Sequence, residues 1–515
     1  MTTSSNNLEI ENKEIISPPQ PDATLASSDV ESGDHEKGTK VLRTKPFIVW
    51  VAVVAALGGL IFGYDIGGAG ATFVMTGFEE QFGWSCAANA TDCVPAPQSV
   101  IDKDQGLING LFGVGATIGA ISSPWLADTY GRKICLFGAG IVFIFGAGMQ
   151  AAAMTMEVLQ AGRIFSGWAI GSLSMCAPVY ISELAPEHVR GALSTLWQVA
   201  ITAGILIASA CNLGLKNWSE GWRLSYGGNI LFAIIMLGAM FFMPESPRWL
   251  AGKDRDDEAR VALATIRYED EVEDEVMKLK EETAKEKALG IASWKEVIAV
   301  DNKMLYRLLL GVSLQVTQQL SGINAIMFYA PTILNKFFDS NQAIIGTFVL
   351  NTINFLSTFI TVYTVERAGR VKLLVSGGLL MTVTLVVAAI LSSLDQTEKV
   401  GWFVLVTASI YIIGFAYSWG PVVWTVCAEL FPLRSRGKAT GITTMSNWAM
   451  TSVVGALFPI ASTASLAGCF AFFAFIIFAG TVVVYFFQAE TAGKTVLETD
   501  EAFAKHEPKV VRKVW

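Results

Sequence analysis

Two ionisable residues stand inside otherwise uncharged stretches of this 515-residue chain: Asp65, which follows eighteen residues without a charge, and Arg163. Charged groups within an apolar helix are costly and are kept where they serve a function. An arginine beside a carboxylate lowers the carboxyl pKa, whereas burial raises it. A carboxylate caught between the two gains or loses a proton as its surroundings change, which is chemistry for coupling another movement to a proton. The competing reading is a static ion pair that orders the helices. Both residues fall at similar depth in the outer halves of their spans, so pairing is allowed, although sequence does not tell whether those spans touch.

A second constellation is uncharged. Gln315, Gln318, Gln319, Ser321, Gly322 and Asn324 precede Phe328 and Tyr329, and Gln315, Gln318, Gln319 and Gly322 are spaced by three and four, as on one helix face. Amides both donate to and accept from hydroxyl groups, and aromatic faces cover apolar C–H patches. The combination suits a neutral polyhydroxylated ligand such as a monosaccharide. Gln198, Asn351, Asn354 and Asn447 are further isolated polar residues in apolar runs, with Trp419, Trp424 and Trp448 nearby. Each alone reads as helix–helix glue; the cluster does not.

The elements that must position these groups are membrane-spanning helices. The chain is 52% apolar and 16% charged, with a mean hydropathy of +0.47, against about 25% charged in soluble domains. A span needs about 20 apolar residues, and only helices satisfy such a segment's backbone in lipid. Uncharged runs begin at Phe47, Gln105, Ile134, Ile164, Gly191, Leu224, Leu308, Ser340, Leu373 and Val400, and a run from Ala439 to Ala489 holds two spans around a turn near 461–466. The predicted fold is an all-α membrane protein: twelve transmembrane helices in two six-helix bundles, 47–250 and 306–488. A polar linker of cytoplasmic amphipathic helices occupies 251–305, and tails occupy 1–46 (read as disordered, with no signal peptide) and 489–515. The linker has neither a Gly-rich phosphate loop nor a Cys/His cluster. No enzyme, metal, cofactor or nucleic-acid function is therefore expected. The net charge of −8 says little about partners.

Lys and Arg concentrate in alternate loops, which puts both termini in the cytoplasm. The opposite loops carry the sequons at Asn89 and Asn217, of which Asn89 is farther from the bilayer. Of seven cysteines, Cys86, Cys93 and Cys469 are predicted to face outward. One bridge can form among them, either between Cys86 and Cys93 or from one of these to Cys469.

The halves also repeat. Asp128 to Arg132 is echoed by Glu366 to Arg370, and Glu183 to Arg190 by Glu429 to Arg436. Matching features at corresponding positions mark a transporter built from two related bundles. Each acid is expected to pair with an arginine across the cytoplasmic seam and to release it when the halves rock.

Four motifs carry a family resemblance: Pro178-x-Tyr180-x-x-Glu183-x-x-Pro186-x-x-x-Arg190-Gly191, Pro244-Glu245-Ser246-Pro247-Arg248, Gln318 to Asn324, and Glu429-x-Phe431-Pro432-x-x-x-Arg436-Gly437. Over roughly residues 45 to 505 the chain resembles the sugar porter family of the major facilitator superfamily. The resemblance implies monosaccharide transport by alternating access, with sugar contacts at Gln198, Gln318, Gln319, Asn324, Tyr329, Asn354 (or Asn351), Trp424 and Asn447. It adds Glu245 and Arg248 to the cytoplasmic gate of Asp128, Arg132, Glu183, Arg190, Glu366, Arg370, Glu429 and Arg436. Phe328 replaces a tyrosine common in the family, and Gln319-Leu320-Ser321 resembles glucose-accepting members. An Asp in span one with an Arg in span four, as Asp65 and Arg163, is the proton-symporter pattern, and plant-type symporters bridge the first outer loop to the start of span twelve, here Cys469. Ala489-Glu490-Thr491-Ala492-Gly493 departs from the usual Pro-Glu-Thr-Lys-Gly. The implied function is a proton-coupled glucose or hexose symporter, monomeric, in the plasma membrane. A facilitator of the same fold, or a non-transporting sugar sensor, are the rivals.

Overall fold

The computed structural model describes residues 45–86, 93–290, 293–299, 303–395 and 397–492, with 494, 498, 499 and 503 besides. The described residues are nearly all helical. In the first half α1 (Phe47–Thr72) and the short α2 (Thr76–Gln81) precede α3 (Gln98–Tyr130), α4 (Arg132–Ala151), α5 (Met156–Leu184) and α6 (Glu187–Leu215). The pair α7 (Gly221–Gly227) and α8 (Asn229–Met240) follows. Four helices then form the polar middle: α9 (Pro247–Gly252), α10 (Asp256–Ile266), α11 (Glu269–Leu289) and α12 (Trp294–Val297). The second half holds α13 (Met304–Leu320), α14 (Ile323–Leu334), α15 (Ser340–Ala368), α16 (Arg370–Ser392) and α17 (Glu398–Gly414). A π-helical turn (Phe415–Trp419) leads into α18 (Gly420–Glu429), and α19 (Leu433–Phe487) closes the chain.

Among the described residues, ten helical stretches are long and apolar enough to cross a membrane. One of them, α19, leaves helical geometry at Ser465 (φ −162°, ψ 103°), inside the interval where the sequence predicted a turn. The paired α13 and α14 are each too short to count alone. The sequence reading treats them as one helix, but Gly322 between them adopts φ +92°. A Cβ there would also meet the Phe473 ring at 2.5 Å. The break follows from glycine's access to the left-handed region, and across it Asn324 on one side meets Gln319 on the other.

Small residues let the helices meet closely enough to seal polar groups between them. A Cβ on Gly63 of α1 would lie 1.8 Å from the Ile201 carbonyl of α6, and one on Gly167 of α5 would lie 2.1 Å from the Phe112 carbonyl of α3. Such backbone approach is the usual basis of helix association in lipid.

The two ends differ. At the end bearing α9–α12, Arg267 is buried, bonded to Glu275 at 2.5 and 2.9 Å and to the Leu184 carbonyl at 3.2 Å. It thereby ties the polar middle under the first half. At the far end, Phe73, Phe78, Phe82, Trp84 and Trp222 pack ring against ring, tilted or edge-on, and Phe73 reaches Tyr329 of the second half, which in turn meets Phe458. Cys86 and Cys93 form a disulfide there, and Cys469 is a free thiol. The bridge to Cys469 that the family likeness implied is therefore not made. The loop instead closes on itself across seven residues, with the two Cα atoms 5.8 Å apart, within the ordinary reach of a disulfide. Asn89 lies outside the described residues.

Candidate functional site

Arg163 on α5 reaches α1, and its Nη1 stands 2.6 Å from Oδ2 of Asp65, with side-chain exposures of 0% and 5%. The same guanidinium donates from Nε to the Ile108 carbonyl at 3.2 Å and lies 4.3 Å from the Phe112 ring centroid. One acid, one cation, one carbonyl and one aromatic face thus share a sealed pocket between α1, α3 and α5. Depth alone permitted this pair; the packing of α1 against α5 makes it.

The amide cluster forms a connected network in the second half. Nδ2 of Asn447 donates to Oε1 of Gln315 (2.6 Å) and of Gln318 (2.7 Å), and Gln319 Nε2 donates to Asn447 Oδ1 at 2.8 Å. Asn324 Nδ2 donates to Gln319 Oε1 and, at 3.2 Å, to Thr451. Gln318 Nε2 donates to the carbonyls of Trp419 (2.7 Å) and Gly420 (2.8 Å). Those carbonyls lie where the chain leaves a π-helical turn and enters α18, an interruption of the regular helical ladder. Thr451 and this irregular turn were not singled out in the sequence. A hydroxyl one helical turn beyond Asn447 was the available signal for Thr451.

The other predicted sugar contacts spread out. Tyr329 donates to the seam between the halves, with its hydroxyl 2.6 Å from the Gly455 carbonyl and 3.1 Å from that of Gln105. Asn351 bonds Ser209 of α6 at 2.5 Å, whereas Asn354 is buried one turn further on. Gln198 and Trp424 are half-buried, and neither joins the amide network. Phe328 is fully buried against Phe112.

Among the described gate side chains, Arg132 and Arg370 each meet an acid of their own half. Arg132 grips Glu183 through Nε (3.0 Å) and Nη2 (3.1 Å) and Asp128 through Nη1 (3.0 Å). Arg370 donates from Nη2 to Glu429 at 2.9 Å. Each arginine opens a helix after a glycine at positive φ, Gly131 (+107°) or Gly369 (+85°). Those helix N-termini are capped by a carboxylate from further along the same half. Glu245 accepts from the backbone N–H of Arg132 and Lys133, and Glu490 accepts from those of Arg370 and Val371. The hydroxyl following each cap, Ser246 or Thr491, then donates to Glu183 (2.5 Å) or Glu429 (2.6 Å). Acid followed by hydroxyl in Glu245-Ser246 and Glu490-Thr491 is a repeat legible in the sequence, where Glu490 stands in the 489–493 motif without a gate role. Burial pushes the Glu245 carboxyl above the ordinary carboxylate range, against the pull of its three N–H donors. Arg248 lies 3.8 Å from Glu282 of α11, and Arg436 donates to the Phe431 carbonyl. The side chains of Arg190 and Glu366 lie outside those described.

Helices of this kind, a sealed ion pair and an uncharged amide site define a multi-pass membrane protein that carries a small polar solute. The sequence profile of the family described as "Sugar (and other) transporter" matches residues 51–503, and the chain belongs to that family, which is one of transporters rather than enzymes. It is 35% identical to the glucose transporter GlcP of Staphylococcus epidermidis over 87% of this chain and 96% of that one. It is 33% identical to hexose transporter 2 of Kluyveromyces lactis over 97% and 92%. Its fold matches the major facilitator superfamily proton:xylose symporter XylE with a TM-score of 0.74 at 24% identity, covering 89% of this chain and 99% of that one. A D-xylose-proton symporter matches at 25% identity with a TM-score of 0.66, over 86% and 99%.

Proposed function

We propose that this protein is a proton-coupled monosaccharide symporter working by alternating access, with glucose or a related hexose as cargo. The Asp65–Arg163 pair carries the coupling half of the reading: a carboxylate sealed against a cation at the contact of two packed helices. Protonating Asp65 removes half of the charge pair and frees Arg163, so proton uptake and helix packing at α1–α5 are linked. The cargo half rests on the amide network around Asn447, which offers donors and acceptors but no charge, and on relatives named as glucose and hexose transporters.

The architecture proposed with it has twelve crossings in two six-helix bundles, 47–250 and 306–488, joined by 251–305. Counting the bent α19 as two crossings and α13–α14 as one raises the ten long stretches to twelve. The repeated cap and clasp around Arg132 and Arg370 supports two related bundles. The basic loops support cytoplasmic termini, with a plasma-membrane location and a monomer as the simplest arrangement.

Purified protein in proteoliposomes, given a pH step acid on the far side, should accumulate labelled glucose above equilibrium. Asp65→Asn should abolish accumulation and keep a measurable fraction of glucose exchange. Full accumulation by that variant removes the coupling role. A wild type that only equilibrates glucose is a facilitator.

A further inference from the structure

Asp102, Gln105 and Asn109 recur on one face of α3 at a spacing of three and four, and all three are buried. This face lies in the far seam: a Cβ on Gly106 would stand 2.4 Å from the Ala456 carbonyl and one on Gly455 3.2 Å from the Asn109 Cβ. Asn109 is fully buried with its amide against the Tyr329 hydroxyl, and neither its Nδ2 nor its Oδ1 makes a hydrogen bond of ordinary geometry. Nη2 of Arg163 is also buried without a partner. Tyr329 stands beside Asn109 and feels the charges of Arg163 and Asp102. Its one phenolic proton serves two carbonyls, Gly455 and Gln105. Buried amides and guanidinium nitrogens are nearly always hydrogen-bonded, to protein or to water. Two such unsatisfied groups on the helices around Tyr329 point to a small ligand with both donors and acceptors, which is water.

We propose that Asn109 holds water beside Tyr329 and Nη2 of Arg163, forming a relay that passes protons between the far seam and Asp65. The proposal rests on the symport reading above and supplies its proton route. Asn109 anchors the water, donating from Nδ2 and accepting at Oδ1. The water and the Tyr329 hydroxyl each take one proton and give one, so both end neutral. The proton comes from hydronium on the far side, which is left as water, and it ends on a carboxylate oxygen of Asp65. The charged and titratable groups facing the route are Asp102 and Arg163 on α3 and α5, Tyr226 on α7 and Asp65 on α1. Lys336 beyond α14 also faces it: it has Asp102 as a charged neighbour and donates to the Ser462 carbonyl at 3.0 Å.

The test compares wild type, Asn109→Leu and Asn109→Ser in proteoliposomes. It measures pH-driven glucose accumulation, glucose exchange at equal pH, and the ratio of coupled rates in H2O and D2O. Leucine matches asparagine in size and cannot hold the water; serine can. Asn109→Leu is expected to slow coupled uptake about ten-fold or more, the low end of what a positioned proton-transfer group contributes. Its exchange at equal pH is expected to persist, and Asn109→Ser is expected to recover coupled uptake and the wild-type isotope ratio. Coupled uptake by Asn109→Leu equal to wild type overturns the relay and leaves symport standing. Equal loss of uptake and exchange in both variants also overturns it, by assigning Asn109 a packing role. A wild type that shows no pH-driven accumulation overturns the symport reading, and the relay with it.

Discussion

Asn447 holds three glutamines at once, so its removal should be felt throughout the amide network. Asn447→Ala frees Gln315, Gln318 and Gln319 from a shared partner. Loss of an oriented polar contact to a sugar hydroxyl costs about 1–2 kcal/mol, and the apparent affinity for glucose in competition uptake should weaken about ten-fold with the protein still folded. Glu245 offers a residue-scale pH signature. Its carboxyl lies above the ordinary carboxylate range because of burial. The folded protein therefore binds that proton more tightly than the unfolded chain does. The group's contribution to stability is present at low pH and is lost as pH rises from the ordinary glutamate value through the raised one. Glu245→Gln should flatten that part of a melting-temperature profile against pH; an unchanged profile assigns the slope elsewhere. Asp65, Arg163 and the amides were legible as residues, because charge and amide groups are conspicuous in apolar runs. Asn109 was not, since a lone asparagine reads as helix glue until its neighbours are seen.

The elements depart from the sequence reading where backbone geometry, rather than side-chain pattern, decides. Hydrophobic run length located the spans, and the turn expected at 461–466 falls at Ser465. Run length was blind to the break at Gly322, because glycine and serine are uncharged and do not interrupt an apolar run. It was equally blind to the π-helical turn at Phe415–Trp419, which hands two carbonyls to Gln318. The Gly322 break is testable. Gly322→Ala puts a Cβ at 2.5 Å from the Phe473 ring at a φ that side chains rarely adopt, a strain of about 1–3 kcal/mol. Detergent-solubilised Gly322→Ala should melt earlier than wild type and bind glucose more weakly, because Asn324 no longer turns toward Gln319. Undiminished affinity would detach the break from the site. The gate pairs also belong to this scale. Sequence expects Glu183 and Glu429 to pair across the seam; among the described side chains, Arg132 and Arg370, each following a glycine at positive φ, meet these acids from within their own half.

At the scale of the molecule, hydrogen bonds join the two halves directly. They run from Tyr329 to Gln105, Ser452 to Gly110, Trp448 to Ser174 and Asn351 to Ser209. All lie in the far half or near the middle, where the aromatic cluster also sits, so this conformation is closed at the far end. If transport requires that seam to part, locking it should stop transport reversibly. The built Cβ of Gly110 stands 2.8 Å from that of Ala456, close enough for a cross-link after a small adjustment. Gly110→Cys with Ala456→Cys should lose uptake on oxidation and regain it on reduction, while either single variant ignores both treatments. The central claim, that one sugar moves with a proton through Asp65, is tested most directly by following pH outside a suspension of sealed proteoliposomes when glucose is added without any imposed gradient. Glucose should make the far-side medium more alkaline in step with sugar entry in wild type and not in Asp65→Asn. Sugar entry with no accompanying pH change in wild type would contradict the claim.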